Sequence, residues 1–168
     1  MVPELLADPV PLAALTLAIA AAVHLQRGLT WTEYRELHRL KRRAFPVADR
    51  VWPHFVHEKG GRDDAEYLTT RSQSPKAVWK QLVAEGGSPH LVASVKRREI
   101  DGDVQYSVGH VVWMHGTEQT EAFLFANPDG TTDVYAHVET KTTDPEGHLT
   151  DGQTNGDARG VVADALGL

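Results

Sequence analysis

The stretch VQYSVGHVVWMHGTEQTEAFLFANPDGTTDVYAHVET, from Val104 to Thr140, decides the fold. Apolar and polar residues alternate along it, which is the period of β-strands with two unlike faces. Turn sequences interrupt the alternation at His115-Gly116 and at 127–130, where Asn-Pro-Asp-Gly suits a tight turn. Upstream, LVASVKRREI (91–100) has the same character and ends at Asp101-Gly102. Short turns between consecutive strands predict a four-stranded antiparallel meander.

A helix precedes these strands, in the sequence SPKAVWKQLVAEGG (74–87). Ser74 suits the N-cap, Pro75 the first turn and Gly86 the end of the helix. A helix packed on one face of an antiparallel meander is an α+β fold. The predicted segments are an N-terminal segment 1–28, a basic amphipathic helix 29–45, a linker 46–74, the α+β domain 75–141, and an Asp/Gly-rich tail with a short closing helix 142–168.

The turns also predict the strand register, and the register leaves both faces of the sheet apolar. One face carries Val95, Val108, Phe123 and Tyr135. The opposite face carries Val111, Trp113, Ala122, Leu124, Val134, Ala136 and Val138. Only one helix is evident to cover them, so we expect the second face to bind another chain, the helix that contains Trp31, or the linker. A protein partner or self-association through an apolar sheet face is therefore predicted.

The same register places His110, Glu121 and His137 in one row across three neighbouring strands. Two imidazoles and one carboxylate can bind a divalent metal ion and leave positions open, so a metal-dependent enzyme is one hypothesis. The alternative is a half-exposed row of ordinary cross-strand polar pairs.

The N-terminal run PLAALTLAIAAAVHLQRG, Pro11 to Gly28, is almost entirely apolar. Acidic residues precede it and basic residues follow it, which favours a single transmembrane helix with the following domain in the cytoplasm. The run is shorter than the ~20 residues of a typical span, and its many alanines also suit a helix packed against neighbouring chains. A secretory signal would require basic residues before the run, and there are none.

A basic helix is predicted after this run, in GLTWTEYRELHRLKRRAF (28–45). Thr30 and Glu33 fit a capping box, and Phe45-Pro46 is expected to end the helix. Its apolar stripe comprises Trp31, Tyr34, Leu37, Leu40 and Ala44. We expect the helix to lie on an anionic membrane surface or to pack on the domain. The candidate membrane-interface residues are Trp31, Tyr34, Arg35, Arg39, Arg42 and Arg43.

Composition limits the possible functions further. The chain has 168 residues, a net charge of −6 and no cysteine, which excludes disulfides and thiolate metal sites and makes nucleic-acid binding unfavourable. It contains no glycine-rich phosphate loop, nucleophile elbow or zinc-protease motif, so no cofactor is predicted. The leading hypothesis is a small single-pass membrane protein whose cytoplasmic domain is a non-catalytic binding or scaffolding module. The alternative is a soluble subunit of a larger protein assembly.

Overall fold

A computed structural model describes residues 28–50, 56–91, 93–140, 153–154 and 158–168, and these residues form an α+β fold, as predicted. The helices are α1 (Trp31–Ala48), α2 (Pro75–Ala84) and α3 (Ala158–Leu166). The strands are β1 (Val56–Lys59), β2 (Tyr67–Arg71), β3 (Ser88–Pro89), β4 (Val95–Ile100), β5 (Asp103–Tyr106), β6 (Gly109–His115), β7 (Glu118–Ala126), β8 (Thr132–Thr140) and β9 (Gln153–Thr154). Among these residues no helix is both long enough and apolar enough to cross a bilayer. The apolar run predicted to do so lies, except for Gly28, outside the described ranges.

The strands form two sheets. The larger has six strands in the order β2-β8-β7-β6-β3, with β9 added beside β8. The smaller has three strands in the order β1-β4-β5, in which β1 runs parallel to β4 and β5 runs antiparallel to it. The segment 46–74, predicted to be a linker, therefore contributes one strand to each sheet.

The predicted four-stranded meander is wrong, because the chain changes sheets in the middle of its second predicted strand. The Ser107 N–H donates to the Lys96 carbonyl in the small sheet at 2.8 Å, and the Val108 N–H donates to the Leu124 carbonyl in the large sheet at 2.7 Å. Strands that pass between packed sheets bend at such corners. Gly109 suits the bend, since a Cβ there would lie 3.3 Å from the Trp79 ring. Of the predicted meander, the large sheet keeps β6, β7 and β8 as consecutive antiparallel neighbours.

The register of the large sheet agrees in part with the register drafted from the turns. Phe123 pairs with Tyr135, as predicted. Val108 was expected opposite Phe123, but His110 occupies that position. The β6–β7 turn lies at Gly116-Thr117, one residue later than predicted, which moves the pairing by two residues. A shift of two leaves the side chains of β6, β7 and β8 on their predicted faces. Val108, at the corner, lies instead in the core with Leu124 and not beside Phe123, and Val95 belongs to the small sheet, so both were placed wrongly.

The helices cover one face of the large sheet. The main core there contains Tyr34 from α1, Val78, Trp79 and Leu82 from α2, Val162, Ala165 and Leu166 from α3, and the apolar row that includes Ala122, Leu124 and Val134. The opposite face carries Phe123, Phe125 and Tyr135 and lies under the small sheet, where the Arg98 guanidinium is 4.3 Å from the Phe125 ring centre. Both faces are thus covered by elements of the same chain. The exposed sheet face from which a protein partner was predicted is not present in the described residues.

Helix α1 begins as predicted and ends later than predicted. Thr30 and Glu33 form the capping box, with the Thr30 N–H donating to the Glu33 carboxylate at 2.8 Å. The helix continues through Pro46 to Ala48, and the Asp49 N–H donates to the Phe45 carbonyl at 2.7 Å. Proline removes only its own donor, so one missing bond near the end does not stop the last turn.

Gly87→Ala is expected to lower the free energy of unfolding by about 1–3 kcal/mol. A Cβ at this position would contact the Val111 side chain and lie 2.9 Å from the Leu82 carbonyl oxygen, so backbone has to move. Chemical denaturation of both proteins measures the difference. Gly28→Ala is the matched control, because no atom of the described residues lies within 4 Å of a Cβ there. A Gly87→Ala protein as stable as the parent would contradict the close packing of α2 on β6.

Candidate functional site

Ionisable side chains fill the space between the two sheets, where apolar residues are usual. They form two groups. The Glu121 cluster contains His90, Lys96, His110, Glu121, His137 and Glu139, all buried. The Arg98 cluster contains Arg98, Gln105, Asn127, Asp133 and Tyr135. Buried charges require partners, so the contacts of each cluster determine what it can do.

Glu121 lies at the centre of its cluster. Its Oε1 is 2.6 Å from Nδ1 of His110 and 3.3 Å from Nδ1 of His90. Its Oε2 is 3.2 Å from Nε2 of His137 and 3.5 Å from Nζ of Lys96. Burial raises the pKa of the Glu121 carboxyl, but the Lys96 charge, the hydrogen bond from His110 and the contact with the His137 ring outweigh burial and hold the pKa well below its usual range. Glu121 is therefore a buried carboxylate anion.

His110 connects Glu121 to the corner between the sheets. Burial outweighs the attraction of Glu121 and lowers the pKa of His110 to about 3, so the ring is neutral. Its Nδ1–H then donates to Glu121, and its Nε2 accepts from the Ser107 hydroxyl at 2.7 Å. Ser107, His110 and Glu121 are linked by hydrogen bonds in the order of the serine, histidine and carboxylate of a catalytic triad. Ser107 is fully buried, however, and its Oγ accepts a hydrogen bond from the backbone N–H of Lys96. This arrangement therefore presents no nucleophile to a substrate.

His137 lies among three carboxylates. Its Nδ1 is 3.1 Å from Oε2 of Glu66, and its Nε2 is 3.2 Å from Glu121 and 3.4 Å from Glu139. Burial and the Lys96 ammonium act to lower the pKa of His137, but the carboxylate contacts prevail and raise it to about 10. The space around Nε2 of His137 is thus strongly favourable to a positive charge.

The Arg98 cluster is fully paired. The Arg98 guanidinium donates to Asp133 at 2.7 Å, to the Tyr135 hydroxyl at 3.1 Å and, through two nitrogens, to Gln105. A further bond at 2.8 Å reaches the side-chain oxygen of Asn127. These contacts use all the N–H donors of the Arg98 guanidinium, so none is left to bind a ligand. The cluster therefore serves to join the two sheets.

Helix α1 adds two buried titratable groups beside the Glu121 cluster. Neither ring nitrogen of His38 has a hydrogen-bond partner, and burial lowers the pKa of His38 well below its usual value. The Lys41 ammonium donates to the Ala93 carbonyl at 2.9 Å, and burial lowers the pKa of Lys41 to about 7. Both residues follow Tyr34 at helical spacing, on the face that packs against the domain.

The three predicted metal ligands are brought together, with His110 and His137 both in contact with Glu121. They do not form a half-exposed row, because the small sheet buries all three. Sequence reasoning missed Glu139, Glu66 and the residues of β4. Glu139 could have been predicted from the sequence, because it follows His137 by two residues on one strand and therefore lies on the same face.

Most of the predicted membrane-interface residues face the domain instead. Tyr34 is fully buried, and its hydroxyl accepts the His110 N–H. The Trp31 ring packs 5.3 Å from the ring of Trp79. Arg35 donates to the Val108 carbonyl at 2.5 Å, and the Arg42 guanidinium lies 5.4 Å from the ring centre of Tyr106. These four residues hold α1 against the corner between the sheets, while Arg39 and Arg43 remain exposed.

Comparisons of the chain with protein-family models, with curated proteins and with solved structures find no match.

Proposed function

We propose that the chain is a non-catalytic binding module held at an anionic membrane surface by its N-terminal apolar run and by α1. In this proposal the run from Pro11 spans the bilayer, and the basic residues after it keep the folded domain in the cytoplasm. The observation that carries the proposal is an apolar stripe on α1 that faces away from the protein. Leu37 is 44% exposed, and Leu40 and Val47 are each 62% exposed.

The stripe has the spacing of one helix face. Leu37, Leu40, Ala44 and Val47 follow one another at intervals of three, four and three residues, on a face next to the one that buries Tyr34. Three of the five exposed large hydrophobic side chains in the described residues belong to it. Such a stripe on a domain with a charged surface indicates a contact with lipid or with another protein.

Charge favours a lipid surface. Arg39 and Arg43 are exposed along one edge of the stripe, and Arg50 is exposed just beyond the end of α1. Arg39 pairs only with the exposed Glu36, an interaction of small energy that a phosphate group can replace. An amphipathic helix that combines apolar and cationic residues in this way binds the headgroup layer of anionic membranes.

The absence of cysteine allows a direct test on the full chain, reconstituted in lipid vesicles. Leu40→Cys, labelled with an environment-sensitive fluorophore, is expected to report burial in phosphatidylserine vesicles and quenching by spin-labelled lipids. The signal is expected to fall at 1 M salt, where screening shortens to ~3 Å. Val104→Cys is the matched control, because Val104 is 47% exposed on β5.

The double variant Arg39→Glu/Arg43→Glu is expected to weaken this contact about 30-fold or more, at ~1 kcal/mol for each arginine near the surface. A Leu40 label that stays exposed on anionic vesicles at low salt would refute the lipid contact. A label buried without vesicles, in a monodisperse oligomer by light scattering, would favour the assembly subunit instead. Extraction of the full chain from cell membranes by buffer without detergent would refute the anchor.

A further inference from the structure

Three potential metal ligands converge in the Glu121 cluster. One donor atom from each of Glu121, His137 and Glu139 lies within 4.8 Å of the others. His137 Nε2 is 3.2 Å from Glu121 Oε2 and 3.4 Å from Glu139 Oε2. Ligand atoms that bind a tetrahedral ion at ~2.1 Å lie about 3.4 Å from one another. We infer that Glu121, His137 and Glu139 bind one divalent transition-metal ion between the two sheets.

Each of these residues has its other polar atom held by an outer partner. The contacts are His110 Nδ1 to Glu121 Oε1 at 2.6 Å, Gln119 Nε2 to Glu139 Oε1 at 2.7 Å, and His137 Nδ1 to Glu66 Oε2 at 3.1 Å. A ligand histidine in proteins characteristically donates its remote N–H to a carboxylate, which fixes the tautomer and directs the other nitrogen to the metal. Glu66 itself pairs with the Lys59 ammonium at 2.7 Å, so its charge is balanced within the protein.

The atoms that point inward are not satisfied by the protein. Glu121 Oε2 and His137 Nε2 are fully buried and make no hydrogen bond, although they lie 3.2 Å apart. A buried polar atom without a hydrogen bond is costly, and native structures contain few of them. At this separation the two atoms are poorly aligned for a hydrogen bond with each other. A metal ion that binds both atoms satisfies them.

The charge and the donor types define the class of ion. Glu121 and Glu139 supply two negative charges, which a dication neutralises. One imidazole and two carboxylates suit Zn²⁺, Mn²⁺ or Fe²⁺. Calcium would require six to eight oxygen ligands, more than these residues supply. Two cations compete with the metal ion. The Lys96 ammonium lies 3.5 Å from Glu121 Oε2 and is partly engaged by Ser94 Oγ at 3.0 Å. The other is the proton of the His137 ring, which a metal ion at Nε2 has to displace.

This site differs from the one predicted from sequence. His110 was expected to be a ligand, but its Nδ1–H donates to Glu121 and its Nε2 faces Ser107, so it is an outer partner. Glu139 takes its place because β8 directs residues 137 and 139 to the same side of the sheet. The site lies between the sheets and does not depend on the proposed membrane contact of α1.

The test is calorimetric titration of the full chain with ZnCl₂, in detergent and after chelator treatment. We expect one ion per chain and a tetrahedral absorption spectrum when Co²⁺ replaces Zn²⁺. Glu139→Gln is expected to weaken binding by at least tenfold, and His137→Gln is expected to abolish it. Gln119→Leu removes only an outer partner and is expected to weaken binding about 10–100-fold.

His115→Gln and Glu118→Gln are the matched controls, because both residues are exposed at the β6–β7 turn. Both variants are expected to bind Zn²⁺ like the parent protein. The inference is overturned if the parent chain binds neither Zn²⁺ nor Co²⁺ at equimolar concentration. It is equally overturned if His137→Gln weakens binding no more than His115→Gln. If circular dichroism shows that the ligand variants do not fold, Gln119→Leu and the Co²⁺ spectrum of the parent decide between the outcomes.

Discussion

Arg98→Met is expected to lower the free energy of unfolding by about 3–5 kcal/mol, the usual cost of removing one partner from a buried ion pair. Arg98 and Asp133 are both fully buried, and their contact is 2.7 Å long. Methionine fills much of the volume but leaves the Asp133 carboxylate without its principal cation. Arg62 also reaches Asp133, but the Arg62 side chain is 54% exposed and only partly compensates. Urea denaturation measures the change.

Arg97→Met is the control for this prediction, since it alters the same residue type one position earlier on β4. Arg97 pairs with Glu58 at the protein surface, where both side chains are more than one third exposed. Its replacement is expected to cost less than about 1 kcal/mol. Arg98→Met/Asp133→Asn is expected to recover part of the loss, because it removes the unpaired charge. Equal effects of Arg97→Met and Arg98→Met would show that the small sheet does not pack on the large one as described.

Lys41→Met is expected to make the protein more stable than the parent at pH 6, by an amount on the order of 5 kcal/mol that falls to about 1 kcal/mol at pH 10. Burial lowers the pKa of Lys41 from 10.5 in the unfolded chain to about 7 in the folded protein, with Glu121 opposing this effect and Lys96 adding to it. Between these two values the unfolded chain holds a proton that the folded protein has released. The free energy of unfolding of the parent therefore rises with pH across this window.

The measurement is the difference in unfolding free energy between Lys41→Met and the parent at pH 6, 8 and 10. Taking the difference removes contributions from groups that the substitution does not affect. Lys80→Met, at an exposed position on α2, is expected to show no such trend. A difference for Lys41→Met that is the same at all three pH values would mean that the ammonium is not buried beside the Glu121 cluster.

Local signals in the sequence predicted correctly where α1 and α2 begin and which way the side chains of β6, β7 and β8 face. The capping box at Thr30 and the Ser74-Pro75 start depend on residues within one turn, and both are present in the structure. The alternation between Gly109 and Thr140 correctly separated the side chains that face the helices from those that face the small sheet. A strand has a period of two, so a register error of two residues did not affect this separation.

Contacts between distant segments determined two features that local sequence patterns do not indicate: the corner between the sheets and the orientation of α1. The corner at Ser107 is set by backbone hydrogen bonds to two different sheets, and the residue pattern gives no sign of it. The same limit applies to α1, where Tyr34 and Leu40 belong to one apolar stripe in the sequence, but Tyr34 is buried and Leu40 is 62% exposed. Periodicity indicates that a helix has an apolar face, and it does not indicate which edge of that face meets the domain.

The sequence by itself determined that His110, Glu121 and His137 share one face of a sheet, because strand alternation is a property of the segment alone. Only the tertiary structure decided that this face is closed by β4, with Lys96 beside Glu121 and Arg98 beside Asp133. Burial converts an ordinary polar row into a low-dielectric site in which unpaired charges are costly and pKa values shift. That change depends on two segments that are distant in the chain and meet only when both sheets have formed.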